Sequence, residues 1–142
     1  MNIKEIAIWA LTLMLALSIV SCSDDEDDGG GAVIQVFPGQ YIDFGAVNIF
    51  QETPATIKVT IKNIGNETLR VNELILDDNS GAFDVDSAMD APFELTMSDT
   101  TDILVSFGPE AEEEYDASLI IESNANNYPE YSITLYGVGT SE

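Results

Sequence analysis

From Ala32 onward, apolar and polar residues alternate with a period of two, and turn-forming residues interrupt the alternation about every eight to twelve positions. The clearest stretch is Thr56 to Asn63, where Ile57, Val59 and Ile61 fall on one side and Lys58, Thr60 and Lys62 on the other. Successive side chains of a strand point to opposite faces, so this spacing predicts a half-buried strand. Val33 to Phe37, stopped by Pro38-Gly39, and Tyr41 to Val47, with Ile42 and Phe44 on one face, read as two earlier strands. After the Gly65-Asn66 turn, Leu69 to Leu76 is apolar at Leu69, Val71, Leu74 and Leu76. That change of parity predicts a bulge or bend at Asn72-Glu73. The loop Asp77 to Gly81 leads into a short apolar piece, Ala82 to Val85, and Phe93–Met97, Asp102–Phe107, Tyr115–Glu122 and Tyr131–Tyr136 complete the set. No part of this region has a sustained helical period. About seven or eight strands in about 110 residues predict an all-β domain, a two-sheet β-sandwich around one core.

The N-terminus breaks the alternation. Ile6 to Val20 is an unbroken run of 15 apolar or small residues, shorter than the roughly 18–20 that cross a bilayer core as a helix. It has the length of a signal-peptide core, with Lys4 ahead of it. The run ends Ile19-Val20-Ser21-Cys22, which resembles the lipobox of bacterial lipoprotein signal peptides. The resemblance implies that the Cys22 thiol receives diacylglycerol and that cleavage makes Cys22 the new N-terminus. Cys22 is the sole cysteine of the chain, so it has no partner for an internal disulfide. Five acids, Asp24 to Asp28, and the glycines Gly29 to Gly31 follow. Such a segment cannot pack a core and reads as a hydrated, disordered tether reaching about 30 Å at full extension. The expected organisation is a cleaved leader over 1–21, a lipidated cysteine and tether over 22–31, and the sandwich over 32–142. Acids just after the cysteine resemble the export signals of surface lipoproteins, which implies an outer-membrane or cell-surface location.

Charge narrows the function further. There are 26 acidic residues against 4 basic ones, a net charge of −22, and the leader, with one Lys4 and one Glu5, carries none of that net charge away. Such a surface repels phosphate backbones, so nucleic-acid partners are excluded, while cations and basic proteins are attracted. No histidine is present, which removes the usual general base and the commonest metal ligand.

Several short motifs follow one another along the chain. Phe44-Gly45-Ala46-Val47 reads FGxV, Asn63-Ile64-Gly65 reads NxG, and Phe83 follows the next loop. Val105-Ser106-Phe107-Gly108-Pro109 reads VxFxP, Ser123-Asn124 ends a strand, and Leu135-Tyr136-Gly137-Val138-Gly139 reads LxGxG. On these pieces, Ile42 to Gly139 resembles the ASH family, the immunoglobulin-like domains named for ASPM, SPD-2 and hydin, with bacterial relatives labelled choice-of-anchor D. The resemblance implies an immunoglobulin-like sandwich without catalytic chemistry, used for protein contacts or as a spacer. One departure stands out: where the family often has a glycine after FxP, this chain has Glu110-Ala111-Glu112-Glu113-Glu114.

Other candidate chemistry is thin. Asp77, Asp78, Asp84 and Asp86, with Asn79 and Asp90 nearby, are hard oxygen donors of the kind calcium takes, making them weak metal candidates. The spacing misses the EF-hand loop, because Ala82 stands where the sharp-turn glycine belongs, and turn formation accounts for Asp77 to Asn79 equally well. Glu112 to Glu114 reads as a hydrated loop. Tyr128, Tyr131 and Tyr136 near the last strand form a possible contact surface, since tyrosine anchors protein and sugar contacts; a core position explains them too. Phe44, Phe83, Phe93 and Phe107 read as core. The expected protein is therefore a non-enzymatic, lipid-anchored binding or spacer module, with no cofactor and no small-molecule substrate. Its partners are the membrane, through Cys22, and an envelope or extracellular protein. The alternative is a carbohydrate-binding accessory lipoprotein of an uptake system.

Overall fold

The computed structural model describes residues 30–87 and 89–142, and every regular element among them is a strand. The leader, Cys22 and the acid run lie outside the described residues. The strands are β1 (Ile34–Phe37), β2 (Tyr41–Asn48), β3 (Ala55–Asn63), β4 (Leu69–Asp77), β5 (Phe83–Ser87), β6 (Phe93–Leu95), β7 (Thr100–Phe107), β8 (Glu114–Ser123) and β9 (Glu130–Thr140). They form two sheets, ordered β1-β3-β7-β5 and β2-β9-β8-β4-β6. All pairings are antiparallel except β2 with β9. Among the described residues the sandwich therefore has nine strands, not seven or eight. The apolar piece after the Asp77–Gly81 loop is a strand in its own right, and it pairs from Phe83↔Phe107 to Ser87↔Ile103. No helix of the described residues is long and apolar enough to cross a membrane.

The period-two reading locates the core. Val59 and Ile61 of β3, Ile103, Val105 and Phe107 of β7, Leu119 and Ile121 of β8, and Ile133 and Leu135 of β9 are all fully buried. Each such side chain, taken out of water, stabilises the fold by roughly 1.5–3 kcal/mol before the cost of ordering it. At one end the phenylalanines gather: Phe83 stacks on Phe107 at 4.8 Å between ring centres, Phe44 sits 5.6 Å from Phe107, and Tyr115 meets Phe107 edge-on at 5.5 Å. The bulge expected in β4 is present, a register shift between Val71 and Glu73 against β8. Past it, Leu74 and Leu76 turn back toward the core.

The family motifs have physical reasons. Asn63, the Asn of NxG, is fully buried, and its amide donates to the Glu67 carbonyl (2.7 Å) and the Leu95 carbonyl (2.9 Å) while its oxygen accepts from the Gly65 N–H (3.0 Å). One side chain thus ties the β3–β4 turn to β6. A β-carbon on Gly65 would collide with the Gly31 carbonyl, and one on Gly137 of LxGxG with the Phe107 ring. Gly31, read from sequence as the end of the tether, is buried, and its N–H donates to Asn66 Oδ1 at 2.9 Å. The glycine-free Glu110–Glu114 loop turns on a tyrosine instead: the Tyr115 hydroxyl accepts from the Ala111 N–H at 3.0 Å.

Candidate functional site

The aspartates singled out in the sequence part company in the fold. Asp78 organises the turn into β5. Its Oδ1 accepts from the Ser80 N–H (2.8 Å) and hydroxyl (2.6 Å), and its Oδ2 accepts from the Phe83 N–H (3.0 Å). Burial pushes the carboxyl up, but these donors together outweigh it and hold Asp78 below the ordinary aspartate range. Asp77 is exposed at the end of β4, and Asp84 and Asp86 are exposed on β5. Among the described residues, no three His, Cys, Asp or Glu side chains are gathered as a metal would need.

The tyrosines divide as well. On β9, Tyr131 faces inward and is 7% exposed, whereas Tyr136 has the opposite parity and lies on the outer face. Tyr128, in the β8–β9 loop and 47% exposed, meets Tyr131 edge-on at 5.4 Å. Burial, then the neighbouring Tyr128, raises the Tyr131 hydroxyl above its usual value. Tyr136 has a different companion, Tyr41 on β2. The parallel register sets Tyr41 opposite Thr134 and Asp43 opposite Tyr136, so the two tyrosines are diagonal neighbours, with Tyr41 57% exposed. Sequence reasoning missed Tyr41, because only a parallel β2–β9 pairing brings it there.

A more substantial concavity was also not read from sequence. Between β4 and β5, on the side where the two sheets part, lies an open cleft of about 590 Å³. Its apolar wall is Leu74 and Leu76 of β4, Val85 of β5 and Leu119 of β8, and its acidic residues are Glu73, Asp84, Asp86 and Asp90. Beside the cleft β6 is short: it pairs with β4 only from Leu69 to Val71, which leaves the rest of β4 without a paired strand on that side, and Met89, Asp90 and Ala91 of the β5–β6 connection also line the cleft. Nothing in a linear pattern announces the place where two sheets fail to close.

The comparisons with known proteins concern the whole sandwich. The family model described as Cep192 domain 4 matches residues 39–140. No curated protein sequence matches. Among solved structures, a protein of unknown function from Porphyromonas gingivalis W83 is 16% identical with a TM-score of 0.62, over 75% of this chain and 46% of that one. The secreted serine protease VesC from Vibrio cholerae is 19% identical with a TM-score of 0.53, over 80% of this chain and 24% of that one. The ASH/PapD-like domain 7 of human CEP192 is 10% identical with a TM-score of 0.55, over 80% of this chain and 89% of that domain. The chain spans less than half the length of the first two. At these identities the likeness is one of fold, an immunoglobulin-like sandwich of the ASH/PapD type.

Proposed function

The chain belongs to the Cep192 domain 4 family, and from that premise we propose that it is a non-enzymatic, lipid-anchored module of the cell envelope that binds another protein or holds one at a distance. The observation that carries this reading is the family match across residues 39–140, which takes in nearly the whole sandwich. An ASH-type sandwich is a protein-interaction fold, and function resides in its surfaces. The secreted VesC shares the fold, which fits a location in the envelope or outside the cell. VesC is also a protease, but the likeness reaches only 24% of its chain and so carries no catalytic claim.

The anchor is the second half of the proposal. The apolar run Ile6–Val20, the Ile19–Cys22 motif and the acidic, glycine-ended spacer support acylation of Cys22 and placement at the outer membrane or cell surface. Two or three acyl chains anchor stably where one is marginal. Metabolic labelling with an alkyne fatty acid tests it: the wild-type protein takes up label and Cys22→Ala does not. Equal labelling of both, or of neither, overturns the anchor. Protease treatment of intact cells then reports sidedness.

A glycan-binding reading retains one supporting observation, the outward-facing pair Tyr41 and Tyr136 on the β2–β9 face. Binding on a glycan array that disappears in Tyr41→Ala and Tyr136→Ala would favour it; an array without signal would remove it.

A further inference from the structure

We infer that the cleft between β4 and β5 receives an extended, basic segment of a partner protein, which pairs its backbone with the free edge of β4 at Leu74–Leu76. This rests on the protein-binding reading above and assigns it a place and a chemistry.

Hydrogen-bond direction defines the free edge. The Ser123 N–H donates to the Pro129 carbonyl, toward β9. Bonding direction alternates along a strand, so Glu122, Ile120 and Ser118 present their backbone groups to β4, opposite Glu73, Ile75 and Asp77. Leu74 and Leu76 therefore point their N–H and C=O groups away from β8. β6 stops at the level of Val71, and among the described residues no partner strand stands beside Leu74 and Leu76. An unpaired row of this kind is a template for another strand.

Two other edges are partly capped by side chains. The Gly108 N–H donates to the Ala82 carbonyl, toward β7, so the backbone groups of Phe83 and Val85 face outward from β5. Asp78 takes the Phe83 N–H, and Asp84 takes the Val85 N–H at 2.9 Å. On β1, the Asn127 amide occupies both backbone groups of Ile34. The open edge of β4 adjoins a concavity with an apolar wall.

The occupant follows from charge. A strand laid beside Leu74–Leu76 would direct alternate side chains into the cleft, over Leu74, Leu76 and Val85, so those must be apolar. The intervening side chains would face the other way, on the side of β4 that carries the exposed Glu73, and the exposed Asp84, Asp86 and Asp90 line the same cleft. Of the three described cations, Lys58 pairs with Asp102 at 3.3 Å and Arg70 with Glu94, and neither these two nor Lys62 lines this cleft. The complement is a segment alternating small apolar residues with lysine or arginine.

The test is a titration of the purified protein with the acetylated heptapeptide Lys-Val-Lys-Val-Lys-Val-Lys, followed through the backbone amide signals. Binding should move the Leu74 and Leu76 amides and slow their exchange. N-methylation of the peptide's pairing amides should weaken binding tenfold or more, and glutamate in place of lysine should abolish it. Equal affinity of the N-methylated peptide, shifts confined to other acidic surface, or no binding at millimolar concentration would each overturn the inference. Leu74→Arg separates this result from the broader reading. If a cross-linked partner at the cell surface is retained by Leu74→Arg, the cleft is not the docking place, while protein binding itself stands.

Discussion

The side-chain amide of Asn127, in the loop between β8 and β9, grips the backbone of Ile34 on both sides: its Oδ1 accepts from the Ile34 N–H at 3.0 Å and its Nδ2 donates to the Ile34 carbonyl at 2.8 Å. A residue 93 positions away thereby stands where a neighbouring strand would stand. It fastens the four-residue β1 and covers its edge at that point.

Asn127→Ala should therefore loosen β1 before it loosens the sandwich. Two hydrogen bonds to partly buried backbone groups are lost, at a cost of about 1–2 kcal/mol. Amide exchange at Ile34 should accelerate about tenfold or more while core amides such as Ile133 keep their rank order. Unchanged exchange at Ile34 would show that the grip contributes nothing.

Asn63 is the more demanding position. Asn63→Ala strands the Glu67 and Leu95 carbonyls, and a loss of about 2–4 kcal/mol is expected in urea unfolding. Asn63→Asp keeps the acceptor for Gly65 but lacks the donors, so at neutral pH it should be at least as damaging.

Gly137 faces the Phe107 ring too closely for a methyl group. Gly137→Ala should cost about 1–3 kcal/mol through overpacking. Phe107→Leu is destabilising alone, yet the double variant should lose less than the two single losses combined. Strict additivity in that cycle would contradict the contact.

Asp78 predicts a pH dependence. Its folded carboxyl titrates below its unfolded value, so its contribution is fully present above about pH 4 and is lost as pH falls through the lower folded pKa. The stability gap between wild type and Asp78→Ala should be constant near neutrality and shrink in acid. A gap that widened as pH fell would reverse the assignment.

Much of this architecture was legible in the sequence, and the remainder has identifiable reasons for being hidden. Alternation exposed the inward faces of β3, β7, β8 and β9, because a strand buried on one side must repeat every two residues. The parity change at Asn72-Glu73 exposed the bulge for the same reason. The strand predicted at Phe93–Met97 ends at Leu95, since Asp99 accepts from both the Thr96 N–H and hydroxyl and turns the chain there. Parity alone also separates Tyr131 from Tyr136, so their grouping in sequence overstated a shared surface. Pairing order is a different kind of information. The parallel β2–β9 contact that brings Tyr41 to Tyr136, and the short β6 that leaves the β4 edge open, depend on which strands meet. No local pattern encodes that.

A fatty modification of one sulfur atom is what would hold this sandwich at a membrane, and intact mass analysis of the protein isolated from membranes addresses it directly. The predicted species begins at Cys22 and carries the added mass of diacylglycerol, with or without a further acyl chain. A polypeptide that still begins at Met1, with no mass beyond its sequence, would contradict it.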